Sequence, residues 1–260
     1  MNELHALETE PIELLGGIVG SSNETFLVRL GEACADVHAV YKPELGERPL
    51  HDFPPGLYRR ERAAYLLSQH LGWGLVPPTV IREDGPFGVG SYQLFRHHDP
   101  DEHYFTLYTR STGHVLPVVL EGFGDPFGLG LLEASADGAG EDVQEQLRRL
   151  AVFDILANNA DRKAGHVLRG TDGRVWAIDH GLCFSEDLKL RTVIWDFAGE
   201  ALEDETLESL WDVVDEVPAE VADLLEPAEV RALQGRARWL TAVGELPGDP
   251  TGMRFPWPLI

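Results

Sequence analysis

Residues 158–183 read Asn158-Asn159-Ala160-Asp161-Arg162-Lys163-Ala164-Gly165-His166-Val167-Leu168-Arg169-Gly170-Thr171-Asp172-Gly173-Arg174-Val175-Trp176-Ala177-Ile178-Asp179-His180-Gly181-Leu182-Cys183. The stretch begins as a compact polar loop, Asn158 to Gly165, and passes into a short run, His166-Val167-Leu168. Thr171-Asp172-Gly173 has turn chemistry, and Val175-Trp176-Ala177-Ile178 is a second β-rich run, so the pair predicts a hairpin. Asp161 sits in the loop before that hairpin. Asp179 follows its second strand, next to a turn at Gly181 that lets it face a cleft. Two carboxylates so placed match what phosphoryl transfer needs: one orients or deprotonates the attacking hydroxyl, and the other holds a divalent cation against the phosphates. A single aspartate in a loop more often only caps a turn, so the reading depends on partners elsewhere in the chain.

Those partners lie upstream. Gly20-Ser21-Ser22-Asn23 is a turn whose backbone N–H groups can line an anion-binding concavity. It leads into a β-rich run at Thr25-Phe26-Leu27-Val28, followed by a second at Val37-His38-Ala39-Val40-Tyr41, and the two predict a hairpin. Lys42 closes this hairpin and Pro43 ends it. Tyr58 to Leu71 has helical spacing and carries Glu61, a carboxylate able to pair with Lys42. Thr79-Val80-Ile81 and Gly90-Ser91-Tyr92-Gln93-Leu94-Phe95 read as further strands. Beyond them, His97 to Gly140 is rich in Gly, Asp and His and is expected to be an irregular excursion. Asp142 to Leu156 is a helix with Val143, Leu147, Leu150 and Ile155 available for burial. The chain from about Leu188 to Gly244 reads as helical and acidic, and the apolar tail Met253-Arg254-Phe255-Pro256-Trp257-Pro258 is expected to pack back on the body. The expected architecture is α+β: a β-rich N-lobe over residues 1–96 and a helical C-lobe over residues 97–260.

Composition narrows the partners. The 260 residues hold 21 Lys plus Arg against 44 Asp plus Glu, a formal net charge of −23, with 43% hydrophobic residues. That apolar fraction excludes a disordered chain. The charge repels phosphate backbones and anionic lipid headgroups, so nucleic acid and a charged membrane are poor partners. Two widely separated cysteines, Cys34 and Cys183, fit a reducing compartment, and the acidic N-terminus has no signal-peptide pattern. A cytoplasmic location is the expectation.

Taken together, these segments resemble the phosphatidylinositol 3- and 4-kinase superfamily, most closely the type II phosphatidylinositol 4-kinases and an uncharacterised bacterial branch related to them. The resemblance rests on Gly20-Ser21-Ser22, Val40-Tyr41-Lys42-Pro43, Glu61-Arg62-Ala63-Ala64-Tyr65-Leu66, Gly90 to Phe95, Asn159-Ala160-Asp161-Arg162 and Ile178-Asp179-His180-Gly181-Leu182, in collinear order over roughly residues 16–185. It implies a bilobal, protein-kinase-like fold with ATP as cofactor alongside Mg²⁺ or Mn²⁺. Gly20, Ser21 and Ser22 would form the phosphate loop, and Lys42, held by Glu61, would contact the α- and β-phosphates. Backbone groups near Gln93, Leu94 and Phe95 would meet adenine. Asp161 would orient the acceptor hydroxyl, Asp179 would bind the metal, and Lys163 would meet the γ-phosphate, with Arg162 adding positive charge to the ATP site.

Two departures qualify what carries over. The superfamily has Asn five residues after the catalytic Asp, where this chain has His166, and an imidazole ligand suits Mn²⁺ or Zn²⁺ better than Mg²⁺. The type II lipid kinases carry a cysteine-rich membrane-anchoring insert between the lysine strand and the next helix, whereas Glu44 to Tyr58 contains no cysteine. The function implied is therefore an ATP-dependent phosphotransferase acting on a hydroxyl of a protein or soluble small molecule. A nucleotide-binding pseudokinase and an AMP transferase on the same fold are the alternatives, with a lipid kinase last. Asp154 and Asn159 read as buried supports of the catalytic loop, Cys183 as a small core residue, and the His97–His103 cluster as a solvated loop. Trp195, Trp211, Trp239 and Trp257 are expected to pack the helical lobe, and the acidic stretch Glu200 to Glu229 to be solvated helix faces.

Overall fold

The computed structural model describes residues 3–21, 23–31, 37–113 and 140–260. Its first part is a five-stranded antiparallel sheet in the order β1-β2-β3-β5-β4, where β1 is Ile12–Gly17, β2 Phe26–Leu30, β3 His38–Pro43, β4 Thr79–Arg82 and β5 Gly90–Leu94. Helix α1, Glu3–Thr9, precedes the sheet, and helix α2, Leu57–His70, lies between β3 and β4. β3 alternates strictly. Ala39 and Tyr41 enter a core with Leu7, Val28, Leu30, Val80, Tyr92 and Leu94, which leaves Val40 and Lys42 on the opposite face. Tyr41 pairs directly with Tyr92 of β5, their rings stacked 4.4 Å apart, so the register that buries Tyr41 also fixes where Lys42 points. Gly90 is required beside it: a Cβ there would lie 2.4 Å from the Lys42 carbonyl oxygen.

The C-lobe is built on helices α3, Tyr104–Thr112, and α4, Gly140–Ala157. A small hairpin follows, β6, Val167–Arg169, with β7, Val175–Ala177. Helices α5, Asp204–Asp215, α6, Ala219–Ala222, and α7, Pro227–Val243, complete it. On α4, Val143, Leu147 and Leu150 form one buried stripe, and the same spacing brings Asp154 into the interior four residues on.

Several expectations need correction. His97 to Gly140 is not irregular throughout, because Tyr104–Thr112 is helical, begun by a capping box in which the Thr106 hydroxyl accepts from the His103 N–H, and closed by Gly113. Residues 114–139 lie outside the described residues. From Leu188 to Leu202 the chain is non-helical, and helix begins only at Asp204. Two elements go beyond the sequence expectation: Ile12–Gly17 is the edge strand β1, and Glu3–Thr9 is a helix. Trp211, Trp239 and Trp257 lie at the surface rather than in the packed interior, about half exposed or more, whereas Trp195 lies against the core. The tail does return to the body, with the Leu259 carbonyl accepting from Ala164 N–H at 2.7 Å, yet Met253 and Trp257 face solvent. Among the described residues no helix is long and apolar enough to cross a membrane.

Candidate active site

A cleft of about 340 Å³ between the lobes gathers Ser21, Lys42, Glu61, Asp161 and Asp179 into one wall-to-wall arrangement. Lys42 arrives from the cleft face of β3. Its Nζ donates to Glu61 Oε1 at 2.5 Å and to Asp179 Oδ1 at 2.8 Å. Burial opposes the ammonium charge, but Asp179 and Glu61 outweigh that penalty and hold the lysine pKa above its ordinary value. Glu61 is buried on α2, and its second oxygen accepts the backbone N–H of His180 at 3.0 Å.

Glu61 is itself fixed from behind. Its neighbour Arg60 makes a buried ion pair with Glu229 of α7, Nη2 to Oε1 at 2.6 Å, with both side chains less than a tenth exposed. Glu229 was expected on a solvated face. Its burial follows from this pairing and from its second task, accepting the N–H of Glu226 at the start of α7.

Asp179 is held in an uncommon backbone state, φ +61°, which for a non-glycine residue costs roughly 1–3 kcal/mol. The left-handed turn presents its side chain to the cleft, about half exposed. Burial by itself would raise its pKa, and the opposing charge of Lys42, aided by His166, brings it below the carboxylate range instead. Oδ2 lies 3.5 Å from His166 Nε2. His166 closes a short 3-10 turn, Ala164–His166, and its Nδ1 lies 3.1 Å from the carbonyl oxygen of Asp161. Burial is the first cause that lowers its pKa, to about 4, with Arg162, Lys163 and Lys42 adding to it against Asp179.

Asp161 receives its own loop support, its N–H donating to Asn159 Oδ1 at 2.9 Å. Lys163 Nζ sits 2.9 Å from Asp161 Oδ2. Desolvation raises the Asp161 pKa, and Lys163 works against that.

Arg162 requires a correction. It is fully buried and does not present its guanidinium at the cleft surface. Its Nε and Nη2 donate to Asp154 Oδ1 at 3.0 and 2.9 Å, its Nη1 to the Ile178 carbonyl at 2.7 Å, and its Nη2 to His180 Nε2 at 2.7 Å. Adjacent residues of an extended loop point to opposite sides, so Lys163 turns to Asp161 and Arg162 to the core. The guanidinium thereby ties the loop of Asp161 to the loop of Asp179. Asp154 and Asn159 are buried supports of this network, with Asn159 Nδ2 donating to Asp154 Oδ1 at 3.2 Å and the Thr192 hydroxyl to Asp154 Oδ2 at 3.0 Å. Sequence spacing gave no sign of His180 as a member.

The remaining expected residues divide. Gly20 takes φ +92°, open to glycine, and Ser21 lines the cleft, its hydroxyl 2.8 Å from that of Thr25. Ser22 lies outside the described residues. Gln93, Leu94 and Phe95 do not line the cleft around Lys42. Their amides are committed within the sheet: Leu94 N–H donates to Pro78 O at 2.8 Å and Phe95 N–H to His38 O at 2.9 Å, while Gln93 is buried with its amide on Thr79. Leu94 and Phe95 line a separate depression of about 150 Å³ with His38 and Thr171. Cys183 is buried, and desolvation pushes its thiol pKa well up. Among the described residues no three His, Cys, Asp or Glu side chains converge on one point, the histidines near residue 100 included.

The family model for phosphatidylinositol 3- and 4-kinase matches residues 57–207, from the first residue of α2 through the β6–β7 hairpin and into α5. The chain belongs to the phosphatidylinositol 3- and 4-kinase family. The match starts downstream of Ser21 and Lys42, which line the same cleft as Glu61, Asp161 and Asp179. Protein Rv2133c of Mycobacterium tuberculosis is 42% identical over 95% of this chain and 91% of its own length. Phosphatidylinositol 4-kinase gamma 3 of Arabidopsis thaliana is 39% identical over 72 residues, 25% of this chain and 12% of its own. The proinflammatory kinase CtkA of Helicobacter pylori superposes with TM-score 0.51 at 13% identity, over 91% of this chain and 93% of its own. Hydra Fam20 with sugar gives 0.53 at 15%, over 92% and 86%. The Golgi casein kinase with Mn/ADP bound gives 0.51 at 16%, over 92% and 74%. At these identities the structural likeness is one of fold: this family member has the bilobal protein-kinase architecture.

Proposed function

We propose that this family member is an ATP-dependent phosphotransferase that moves the γ-phosphoryl group to a hydroxyl of a protein or soluble small molecule. The observation that carries the reading is the convergence on Lys42 Nζ of Glu61 from α2 and Asp179 from the loop after β7, at 2.5 and 2.8 Å. Three segments far apart in sequence spend their charges on one point, where an α/β-phosphate clamp belongs. The structure of a neighbour, the Golgi casein kinase, contains Mn and ADP, which supports nucleotide and divalent-metal use here.

Asp161 orients the acceptor hydroxyl and takes its proton, and its desolvated carboxylate is a better base than an exposed one. Lys163, on the neighbouring oxygen of Asp161, holds the γ-phosphate side of the cleft positive in a chain of net charge −23. Asp179 and His166 offer a carboxylate oxygen and an imidazole nitrogen to a divalent cation, a donor set that fits one provided phosphate oxygens and water complete the shell. Held there, a divalent cation would supply positive charge against that building on the transferred phosphoryl group. The location is proposed to be the cytoplasm, with no role for nucleic acid and none for a membrane, given the acidic surface.

Incubation of the purified chain with ATP and either Mg²⁺ or Mn²⁺, read by ADP release and intact mass, tests this against the Asp161→Ala variant. Turnover lost in the variant with nucleotide binding kept supports the reading. A mass gain of AMP size, with label from the α-phosphate, replaces it with AMP transfer. Nucleotide binding unaccompanied by turnover on any acceptor makes the protein a pseudokinase.

A further inference from the structure

The nature of the cation can be read from His166. A carbonyl oxygen only accepts hydrogen bonds, so the contact of Nδ1 with the Asp161 carbonyl at 3.1 Å puts the ring hydrogen on Nδ1. The ring is only 16% exposed, and with its hydrogen engaged at Nδ1 the Nε2 lone pair is left to meet a ligand. That lone pair faces Asp179 Oδ2 across 3.5 Å, while Lys42 occupies Oδ1. Two electron-rich atoms held toward each other repel unless a cation stands between them. Metal–ligand bonds of about 2.1 Å place two neighbouring ligands of one ion about 3 Å apart, close to the observed gap.

We propose that His166 Nε2 and Asp179 Oδ2 form a mixed nitrogen–oxygen pair that makes the nucleotide site select a first-row transition-metal dication over Mg²⁺. Mg²⁺ demands oxygen ligands in near-ideal octahedral geometry, whereas first-row transition ions accept imidazole. The Asp161 carbonyl orients the ring from behind, as outer hydrogen bonds commonly do for ligating histidines. An asparagine at position 166 would offer oxygen instead and return the site to Mg²⁺. The inference rests on the kinase reading of the cleft and specifies its metal.

The test uses the full chain with ADP and Mn²⁺. Pulsed electron paramagnetic resonance should show nitrogen hyperfine coupling to the bound Mn²⁺, and the coupling should change when histidine alone is labelled with ¹⁵N, which separates it from adenine nitrogen. In His166→Asn, with folding checked by thermal melting, that signal should vanish. The preference for Mn²⁺ over Mg²⁺ in ADP-dependent binding should fall about tenfold or more. Bound Mn²⁺·ADP without histidine coupling, or an unchanged preference in the variant, overturns the inference and leaves the kinase reading standing. No binding of ADP with either ion overturns both.

Discussion

The carboxylate of Glu61 accepts the backbone N–H of His180 at 3.0 Å while its other oxygen holds Lys42. One side chain on α2 therefore sets both the position of the lysine and the height of the loop carrying Asp179. Glu61→Gln keeps the shape but puts an N–H₂ against one of two donors. Loss of a charged hydrogen bond is worth roughly 2 kcal/mol, so ADP affinity should weaken about 30-fold in a calorimetric titration. An unchanged affinity would mean the pair does not position the phosphate site.

The Arg162–Asp154 pair has both side chains fully buried. Removing one member strands the other charge, which costs about 3–5 kcal/mol. Arg162→Met should lower the melting temperature by roughly 10 °C. The double variant Arg162→Met/Asp154→Leu should lose less than the sum of the singles. Strict additivity of the melting shifts would show that the two residues do not act as a unit.

Lys163 lowers the Asp161 pKa against the rise caused by desolvation. Without the lysine the carboxylate holds its proton to higher pH, and a base must be deprotonated to act. In Lys163→Ala the acid limb of the kcat/KM profile should therefore move up in pH, with the alkaline limb unmoved. A limb that stays in place removes Asp161 as the titrating base.

His166 is held neutral down to about pH 4, and His180, buried beside Arg162, is likewise held well below its ordinary pKa. Unfolded histidine protonates near pH 6.5, so between roughly pH 6.5 and pH 4 the unfolded chain binds protons that the native one refuses. Stability should fall as pH is lowered through that window. Urea midpoints at pH 7 and pH 5 should show the drop, and His180→Phe should reduce it.

Much of this organisation is legible in the sequence. The run Val37 to Tyr41 is enough to put Lys42 at the end of a strand, and the hairpin between Asp161 and Asp179 reads directly from its turn residues. Other parts are set by tertiary context. β1 is an exposed edge strand with two glycines, Gly16 and Gly17, so it lacks the buried alternation that marks a strand. Arg162 looks like a partner of Lys163 because the two are adjacent, and only the interior carboxylate of Asp154, eight residues back, shows which way it turns. Glu229 resembles its acidic neighbours until Arg60 is seen across the interface. The amides of Leu94 and Phe95 are ordinary strand donors in sequence, and their commitment to Pro78 and His38 follows from sheet register.

The Arg60–Glu229 ion pair joins α2, which carries the Lys42 partner Glu61, to α7, which ends at Val243. The two lobes are thus stitched into one cooperative unit at a point adjacent to Glu61. Heating should melt β3 and α7 together, and damage confined to the final helix would be felt first as a slackened grip on phosphate, well over a hundred residues upstream.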